Sequence, residues 1–351
     1  MIYFDSDYMS GAAPEILERL EGTNLQHFPG YGEDLVCKAA KEKILELCNA
    51  PSGDVYFLVG GTQTNATIID YLIRRGEGVL AADTSHINVH EAGAIEFNGH
   101  KVIALPQENG KITAAQIRDY YVEFHRDETW PHMANPAMVY ISFPTELGTL
   151  YSKSELQEIY DVCRHAGIPL YIDGARLAYG LASADCDLSL ADIAHLCDVF
   201  YIGGTKCGAL FGEAVVTAHP ALLQRFNTHM KRHGALLAKG WLLGIQFDTL
   251  FTDNLYMRNG RHAVELAIKL RQGLIKHGYQ PFIDSPTNQQ FFTLPNEVID
   301  SLRLHVSFEY WGPRGEKNSK VRFVTSWATT EEDVAATLQL MDATGSARQN
   351  L

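Results

Sequence analysis

Short, continuous apolar runs alternate with amphipathic segments up to about residue 220. The runs predict buried strands at residues 55–59, 79–82, 102–105, 138–143, 169–172, 199–202 and 214–217. Apolar residues at helical spacing predict helices at about 33–48, 64–74, 114–124 and 154–165, and several of these lie between two predicted strands. Strands that alternate with helices indicate βαβ crossovers, and strands without polar alternation are buried on both faces. We therefore expect an α/β fold with a mostly parallel sheet.

The pattern changes after about residue 220. It predicts two long helices and then three strands, at about 222–251, 254–276, 290–294, 304–308 and 321–325. A last helix is expected to begin near Thr330, whose hydroxyl is a suitable N-cap. We therefore predict a large domain over residues 20–250 and a smaller C-terminal α+β domain over 251–351, with residues 1–19 packing on or beside the smaller one.

Composition narrows the class of protein. The 351 residues are 46% hydrophobic, which suits a globular protein, and the net charge of −13 argues against nucleic acid as a partner. No apolar run is long enough to cross a membrane, and the N-terminus lacks the pattern of a secretory signal. The six cysteines are scattered without a close pair, which favours a reducing cytoplasm.

A glycine turn between a predicted strand and a predicted helix is the first candidate for chemistry. It reads Val59-Gly60-Gly61-Thr62-Gln63-Thr64-Asn65. Glycines allow close backbone approach, and a helix N-terminus offers free N–H groups to a phosphate. The run matches neither the P-loop nor the dinucleotide-binding pattern, so an ordinary strand-to-helix turn is the alternative.

Two further predicted strands end in charged residues. Asp173 closes one strand, with Arg176 three residues later, and Lys206 follows the next strand amid small residues. Ligands of parallel α/β sheets bind at the carboxyl ends of strands, and a desolvated lysine is a nucleophile towards aldehydes. The alternatives are a local Asp173–Arg176 salt bridge and an ordinary surface lysine.

A histidine pair, His86 and His90, has the spacing of two ligands on one helix face and lies close to Asp83. The pair suits a metal, although the zinc-protease pattern is absent. We prefer a role for His86 in stacking on a flat aromatic ligand and a structural role for His90. A phosphate turn, a strand-end aspartate and a Schiff-base lysine on one sheet are together what a pyridoxal phosphate site requires, and no metal site is predicted.

The chain resembles a known family on seven motifs, in order, over nearly its whole length. They are Phe4-Asp5-Ser6-Asp7, Tyr31-Gly32-Glu33-Asp34, Gly61-Thr62-Gln63-Thr64-Asn65, Ser85-His86-Ile87, Asp173-Gly174-Ala175-Arg176, Gly204-Thr205-Lys206 and Val321-Arg322-Phe323-Val324-Thr325. The family is the threonine aldolases, pyridoxal phosphate enzymes of the aspartate-aminotransferase-like class (fold type I). Within it the chain is most similar to the branch that contains phenylserine aldolases.

The resemblance implies roles around the cofactor, pyridoxal 5′-phosphate. Lys206 would form the Schiff base, Asp173 would bind the pyridinium nitrogen, and His86 would stack on the ring. The resemblance implies further cofactor contacts at Gly61, Thr62, Gln63, Arg176 and, at a position where relatives carry an arginine, Lys239.

The resemblance also implies a substrate site. Ser6, Arg176 and Arg322 would hold the substrate carboxylate, and Tyr31 is expected near the site, reaching across a dimer interface. The expected partners are therefore a small amino acid and further copies of this chain, as a homodimer or homotetramer, with neither nucleic acid nor membrane.

One motif departs from the family. Many relatives carry Thr-His-Asn where residues 143–148 read Phe-Pro-Thr-Glu-Leu-Gly, so the histidine that handles the substrate hydroxyl is missing. This leaves His86 as the leading base or water-positioning group and Glu146 as the second candidate. Because a β-aryl substrate needs less help from a base, we expect phenylserine-type substrates to be preferred, with Tyr31 and Trp311 as candidate aromatic neighbours.

The sequence thus predicts an aldolase that cleaves L-β-hydroxy-α-amino acids to glycine and an aldehyde. Three alternatives stay open. The first is another reaction on the same cofactor, such as β-elimination, transamination or decarboxylation, because one scaffold hosts many chemistries. The others are a metal-dependent hydrolase built on Asp83, His86 and His90, and a cofactor-binding protein without activity.

Overall fold

A computed structural model describes residues 1–346 of the chain. Its strands are β1 (Ile2–Tyr3), β2 (Asp54–Leu58), β3 (Gly78–Ala82), β4 (Lys101–Leu105), β5 (Pro136–Ser142), β6 (Leu170–Asp173), β7 (Val199–Gly203), β8 (Glu213–Thr217), β9 (Gln289–Pro295), β10 (Val306–Ser307), β11 (Glu309–Tyr310) and β12 (Asn318–Val324). Its α-helices are α1 (Pro14–Thr23), α2 (Leu35–Leu47), α3 (Gly61–Leu72), α4 (His86–Val89), α5 (Ala94–Phe97), α6 (Ala114–Arg126), α7 (Lys153–Ala166), α8 (Leu177–Leu181), α9 (Leu190–His195), α10 (Phe226–Arg232), α11 (Trp241–Leu250), α12 (Leu255–Lys276), α13 (Asn296–Leu302) and α14 (Glu331–Ser346). Short 3₁₀ turns lie at Trp130–His132 and Pro220–Leu223.

The central sheet has seven strands in the order β2-β8-β7-β6-β5-β3-β4. The pairs from β7 to β4 are parallel, whereas β8 is antiparallel to both of its neighbours. All seven predicted strands are present, and the α/β fold with a mostly parallel sheet is confirmed.

Helices cover both faces of this sheet, and successive strand residues point to opposite faces. Val139, Ile141 and Ile172 belong to one core cluster together with residues of α2, α7 and α11. Tyr140, Tyr171 and Tyr201 belong to the other, together with residues of α3 and α10. Three tyrosines from neighbouring strands therefore lie under α3, the helix that begins at the glycine turn.

Local sequence explains where several helices begin and end. Ser152 and Glu155 form a reciprocal capping box at the start of α7, and Gly167 ends that helix in a left-handed conformation. Thr330 accepts the backbone N–H of Asp333 at 3.1 Å, which confirms the predicted cap of the last helix.

The predicted single helix over 222–251 is wrong. α10 ends at Arg232, and α11 begins only at Trp241. Gly234 between them adopts a positive φ of 66°, which a helix does not permit. The predicted helix over 254–276 is confirmed as α12.

The C-terminal strands form two small sheets outside the central one. β9, β12 and β11 form an antiparallel sheet, and β10 pairs in parallel with β1 at the N-terminus of the chain. The proposed division at residue 250 stays a prediction. None of the helices within residues 1–346 is long and apolar enough to cross a membrane.

Candidate active site

A cavity of about 250 Å³ opens at the carboxyl ends of β5, β6 and β7. Among the predicted site residues, those that line it are Gly61, Thr62, His86, Asp173, Arg176 and Lys206, together with Glu146. The loops after β6 and β7 meet at glycines. A Cβ on Gly174 would lie 1.9 Å from the carbonyl oxygen of Tyr201, and one on Gly203 would lie 2.3 Å from that of Ala175. The two glycines therefore permit the close approach that brings Asp173 and Lys206 to one cavity.

Asp173 is an almost fully buried carboxylate held by neutral donors. Its Oδ2 accepts the Tyr140 hydroxyl at 2.6 Å and the Asn65 amide at 2.9 Å, while its Oδ1 accepts the Tyr201 hydroxyl at 2.6 Å and the Ala175 N–H at 2.9 Å. Burial raises the pKa of this carboxyl, but these hydrogen bonds outweigh burial and hold the pKa below its usual value. Asp173 therefore stays ionised, with a negative charge that no bonded neighbour neutralises.

The N-terminus of α3 faces the same cavity. Gly60 is the N-cap and supplies no side-chain cap, so the first N–H groups of the helix keep their hydrogen-bonding capacity. The 12-residue helix directs the positive end of its dipole to this point. The arrangement can hold an anion such as a phosphate, as the sequence predicts.

Lys206 lies on the loop after β7, and that loop is anchored by Glu213. The Glu213 carboxyl accepts the Gly204 N–H at 3.1 Å and the Thr205 hydroxyl at 2.8 Å. Burial, followed by the charge of Arg176, lowers the pKa of the Lys206 amine, which favours the nucleophilic neutral form. Burial raises the pKa of Glu213 to about 8.

His86 is oriented by a second carboxylate. Its Nδ1 lies 2.8 Å from Oε1 of Glu91, a side chain that is itself buried. The Asn65 amide donates to the same Glu91 oxygen at 2.8 Å as well as to Asp173. One asparagine thus links the carboxylate behind His86 to the carboxylate at the cavity floor.

Glu146, the second candidate base, also borders the cavity. Its Oε1 accepts the Ser142 hydroxyl at 2.6 Å and the backbone N–H of His86 at 2.8 Å. Burial raises the pKa of the carboxyl despite these bonds. A buried carboxyl with a raised pKa can take part in proton transfer.

Arg176 forms a closed pair with Asp7 instead of a local pair with Asp173. Its Nε and Nη2 donate to the two Asp7 oxygens at 2.7 and 3.0 Å, and Asn288 donates to Asp7 at 2.9 Å. Burial raises the pKa of Asp7. The charges of Arg176 and Lys206 and these hydrogen bonds outweigh burial, so the pKa of Asp7 lies below its usual value. The local salt bridge considered from the sequence is therefore absent.

Arg322 and Ser6 lie outside the cavity wall. Arg322 pairs with Glu309, donates to Gln289 at 2.9 Å and lies over the Trp311 ring at 5.1 Å. Burial, followed by the charge of Arg176, lowers the pKa of Arg322. The Ser6 hydroxyl is buried and has no hydrogen-bond partner among the described residues.

Three further predicted residues do not line the cavity. Tyr31 and Lys239 are exposed, and the Tyr31 ring lies 4.2 Å beneath the ammonium group of Lys231. Gln63 turns its amide towards the backbone carbonyl of His233, at 3.5 Å. Within residues 1–346, Asp83, His86 and His90 do not form a metal-ligating group.

Sequence reasoning missed the groups that support the site. These are Asp7, Asn65, Glu91, Tyr140, Tyr201 and Glu213. A signal existed for the tyrosines, because each lies in an apolar strand two residues before its end, where a buried hydroxyl needs a partner. The long-range partners Asp7 and Glu91 had no such signal.

Comparison with solved structures defines the class of fold. An aromatic aminotransferase from Pyrococcus horikoshii OT3 superposes with a TM-score of 0.71 at 16% identity, covering 100% of this chain and 97% of the other. Leishmania major threonine aldolase superposes with a TM-score of 0.95 at 40% identity, covering 98% and 100%. The fold is therefore the aspartate-aminotransferase-like fold of pyridoxal phosphate enzymes.

Sequence comparison identifies the family. The model of the beta-eliminating lyase family matches residues 4–287. The low specificity L-threonine aldolase of Pseudomonas sp. (strain NCIMB 10558) is 30% identical over 335 residues, 94% of each chain. The chain belongs to the beta-eliminating lyase family, among its threonine aldolases, and the resemblance to that family is confirmed. The similarity to the phenylserine aldolase branch stays a prediction.

Proposed function

We propose that this protein is a pyridoxal phosphate-dependent lyase that cleaves L-β-hydroxy-α-amino acids to glycine and an aldehyde. One observation carries the proposal. A lysine amine, an ionised carboxylate and the open N-terminus of a helix line a single cavity, as Lys206, Asp173 and the start of α3. The names of the similar threonine aldolases support the same reaction.

The residues of the cavity fit the cofactor. The start of α3 suits its phosphate, and the uncompensated charge of Asp173 suits a protonated ring nitrogen. The Lys206 amine suits its aldehyde. When bound, pyridoxal phosphate supplies an electrophilic carbonyl for amines and a protonated ring that accepts the electron pair of a broken bond at Cα.

His86 is the leading group for the proton of the substrate β-hydroxyl. With its Nδ1 hydrogen directed to Glu91, the ring leaves Nε2 as a proton acceptor. Glu146 accepts a hydrogen bond from the backbone N–H of His86 and is the second candidate base. Removal of the hydroxyl proton drives cleavage of the Cα–Cβ bond and release of the aldehyde.

Arg322 is the proposed anchor of the substrate carboxylate, with Arg176 behind it. The carboxylate of Glu309, which now pairs with Arg322, is 42% exposed and can be replaced by that of a substrate. A guanidinium group holds a carboxylate in a fixed plane, and that orients the bond to be broken.

Lys206→Ala tests the proposal directly. Wild-type protein loaded with the cofactor should release an aldehyde and glycine from hydroxy-amino acids, and the variant should release neither. Borohydride treatment should fix the cofactor to Lys206, as mapped by peptide mass spectrometry. A label on another lysine would overturn the site, whereas a keto acid or ammonia as product would indicate transamination or β-elimination on the same cofactor.

We propose a preference for phenylserine-type over threonine-type substrates. The family histidine is missing at residues 143–148, and a conjugated aldehyde leaves more readily. Tyr8 lines the cavity, and Trp311 lies against Arg322. We expect kcat/KM to favour phenylserine about tenfold or more, which is about 1.4 kcal/mol in transition-state energy. Equal or better efficiency with threonine, measured by aldehyde release from both diastereomers of each, would contradict the preference and leave the aldolase standing.

We also propose a homodimer or homotetramer in the cytoplasm. Tyr31 and Lys239 are exposed on one chain, as residues that contact a second copy would be, and all six cysteines are unpaired. Sedimentation at assay concentration should give at least a dimer, and a fully active monomer would contradict the assembly.

A further inference from the structure

A cluster of two imidazoles lies against one carboxylate on the far half of α3. Asp70 lies on this helix, His229 on α10, and His233 directly after α10. The Nε2 of His233 lies 2.8 Å from Oδ2 of Asp70, and the Nε2 of His229 lies 3.1 Å from the same oxygen. None of these residues lines the cavity at the start of the helix.

We propose that Asp70, His229 and His233 form a binding site for a divalent transition metal such as Zn²⁺, independent of the lyase activity. One ligand atom from each residue lies within 4.8 Å of the others. In tetrahedral zinc sites with bonds of about 2.0–2.1 Å, neighbouring ligand atoms are about 3.3 Å apart. Two imidazole nitrogens and one carboxylate oxygen are a usual zinc donor set, with the fourth position open to water.

One nitrogen of this cluster is left without a hydrogen bond when no ion is bound. His229 Nε2 lies near Asp70, but it has no hydrogen-bond partner in the part of the chain that the structure describes. The side chains of Asp70, His229 and His233 are only 7%, 11% and 16% exposed. A buried nitrogen without a partner is costly, and a metal would satisfy it. Burial and the neighbouring His233 lower the pKa of His229, which favours the neutral form that binds metals.

A further histidine orients the carboxylate. The Nε2 of His100 lies 3.1 Å from Oδ1 of Asp70, and the His100 side chain is 1% exposed. With Oδ1 held by His100, Oδ2 remains for the ion. Such outer hydrogen bonds commonly fix ligands in protein metal sites.

The positive charge of Arg232, at the solvent side of the cluster, opposes metal binding. Arg232 places Nη2 3.6 Å from Oδ2 of Asp70, on a side chain that is 66% exposed. Because the arginine reaches the site from solvent, it can move aside. Removal of the Arg232 side chain should therefore tighten metal binding, whereas removal of a ligand side chain should weaken it.

Titration of the chelator-washed full-length protein with Zn²⁺ tests the site. One equivalent per chain should bind with a Kd below about 1 μM, and Co²⁺ should give visible absorption of a tetrahedral site. His233→Ala and Asp70→Asn should weaken binding at least about 100-fold, and His100→Ala about 10-fold. Arg232→Ala should strengthen it, and His132→Ala, on an exposed turn, should leave it unchanged.

Several outcomes would overturn the site. The site would be refuted if the wild type bound no more zinc than the His233→Ala variant, or if it bound only half an equivalent per chain. Loss of zinc binding in His132→Ala would refute it as well. If His233→Ala unfolds, the Arg232→Ala and His100→Ala variants still test the site, because both side chains contact Asp70 and neither supplies a ligand atom. Failure of this site would leave the lyase proposal untouched, since aldehyde release does not depend on it.

Discussion

Asp173 and Arg176 lie three residues apart and both line the cavity, yet their buried charges are held in opposite ways. Asp173 accepts four hydrogen bonds from neutral donors, whereas Arg176 donates twice to a single buried carboxylate, that of Asp7. Neutral donors stabilise the ion but leave its charge in place, while a closed ion pair cancels it. Asp173 therefore keeps its charge for a bound cation, and Arg176 has little net charge left for a substrate anion.

Arg322 lies between these two extremes. Its partner Glu309 is partly exposed, so the pair can open at a modest energetic cost. We infer from this comparison that Asp173 acts through its charge, Arg176 through its position, and Arg322 through direct binding.

The largest effect is expected from Asp173→Asn. An amide cannot keep a ring nitrogen protonated, so kcat should fall about 10²–10³-fold while the cofactor remains bound, as seen by its absorbance. Asp198→Asn is a matched control, because Asp198 is a buried acid at the opposite end of the same strands and accepts the Leu170 N–H. A variant at Asp173 that kept most of its kcat would show that the carboxylate is structural.

The variants Arg322→Gln and Arg176→Gln should show which arginine binds the substrate and which one stabilises the fold. Loss of a charge-assisted fork at Arg322 should lower kcat/KM about 100-fold, mainly through KM, with a small change in stability. Arg176→Gln leaves Asp7 buried without its partner, so the free energy of unfolding should fall by about 3 kcal/mol. Denaturant unfolding and steady-state kinetics on both variants test the contrast, and equal losses of stability would refute it.

The smallest effect is expected from single hydroxyls around Asp173. Tyr140→Phe removes one of its four donors, so kcat should fall about fivefold and the acid limb of the pH profile should move to higher pH. The direction follows because a carboxylate with fewer donors is protonated more easily. Tyr171→Phe is the control, since its hydroxyl donates to Asn65 at 2.8 Å instead of to Asp173. Equal losses in both variants would mean that packing, not the donor to Asp173, matters.

Much of the fold could be predicted from the sequence, because fully buried strands leave uninterrupted apolar runs. The helix over 222–251 was wrong for a related reason, since apolar residues continue through 235–237 and conceal the break at Gly234. Apolar periodicity reports burial, and a loop that buries some apolar residues, as this one buries Ala235, resembles a helix in this respect.

The sequence by itself determined the residues at the ends of β6 and β7 and the glycine turn before α3, because each is set by a local pattern of strand, glycine and charge. Only the tertiary structure decided how their charges are held. Asp7 reaches Arg176 across 169 positions, and Asn65 reaches Asp173 across 108. Such contacts depend on which strands and loops the fold brings together, and neither spacing nor composition records that information. The physical reason is that hydrogen bonds and ion pairs act over a few ångströms in space, whereas sequence patterns reveal only neighbours along the chain.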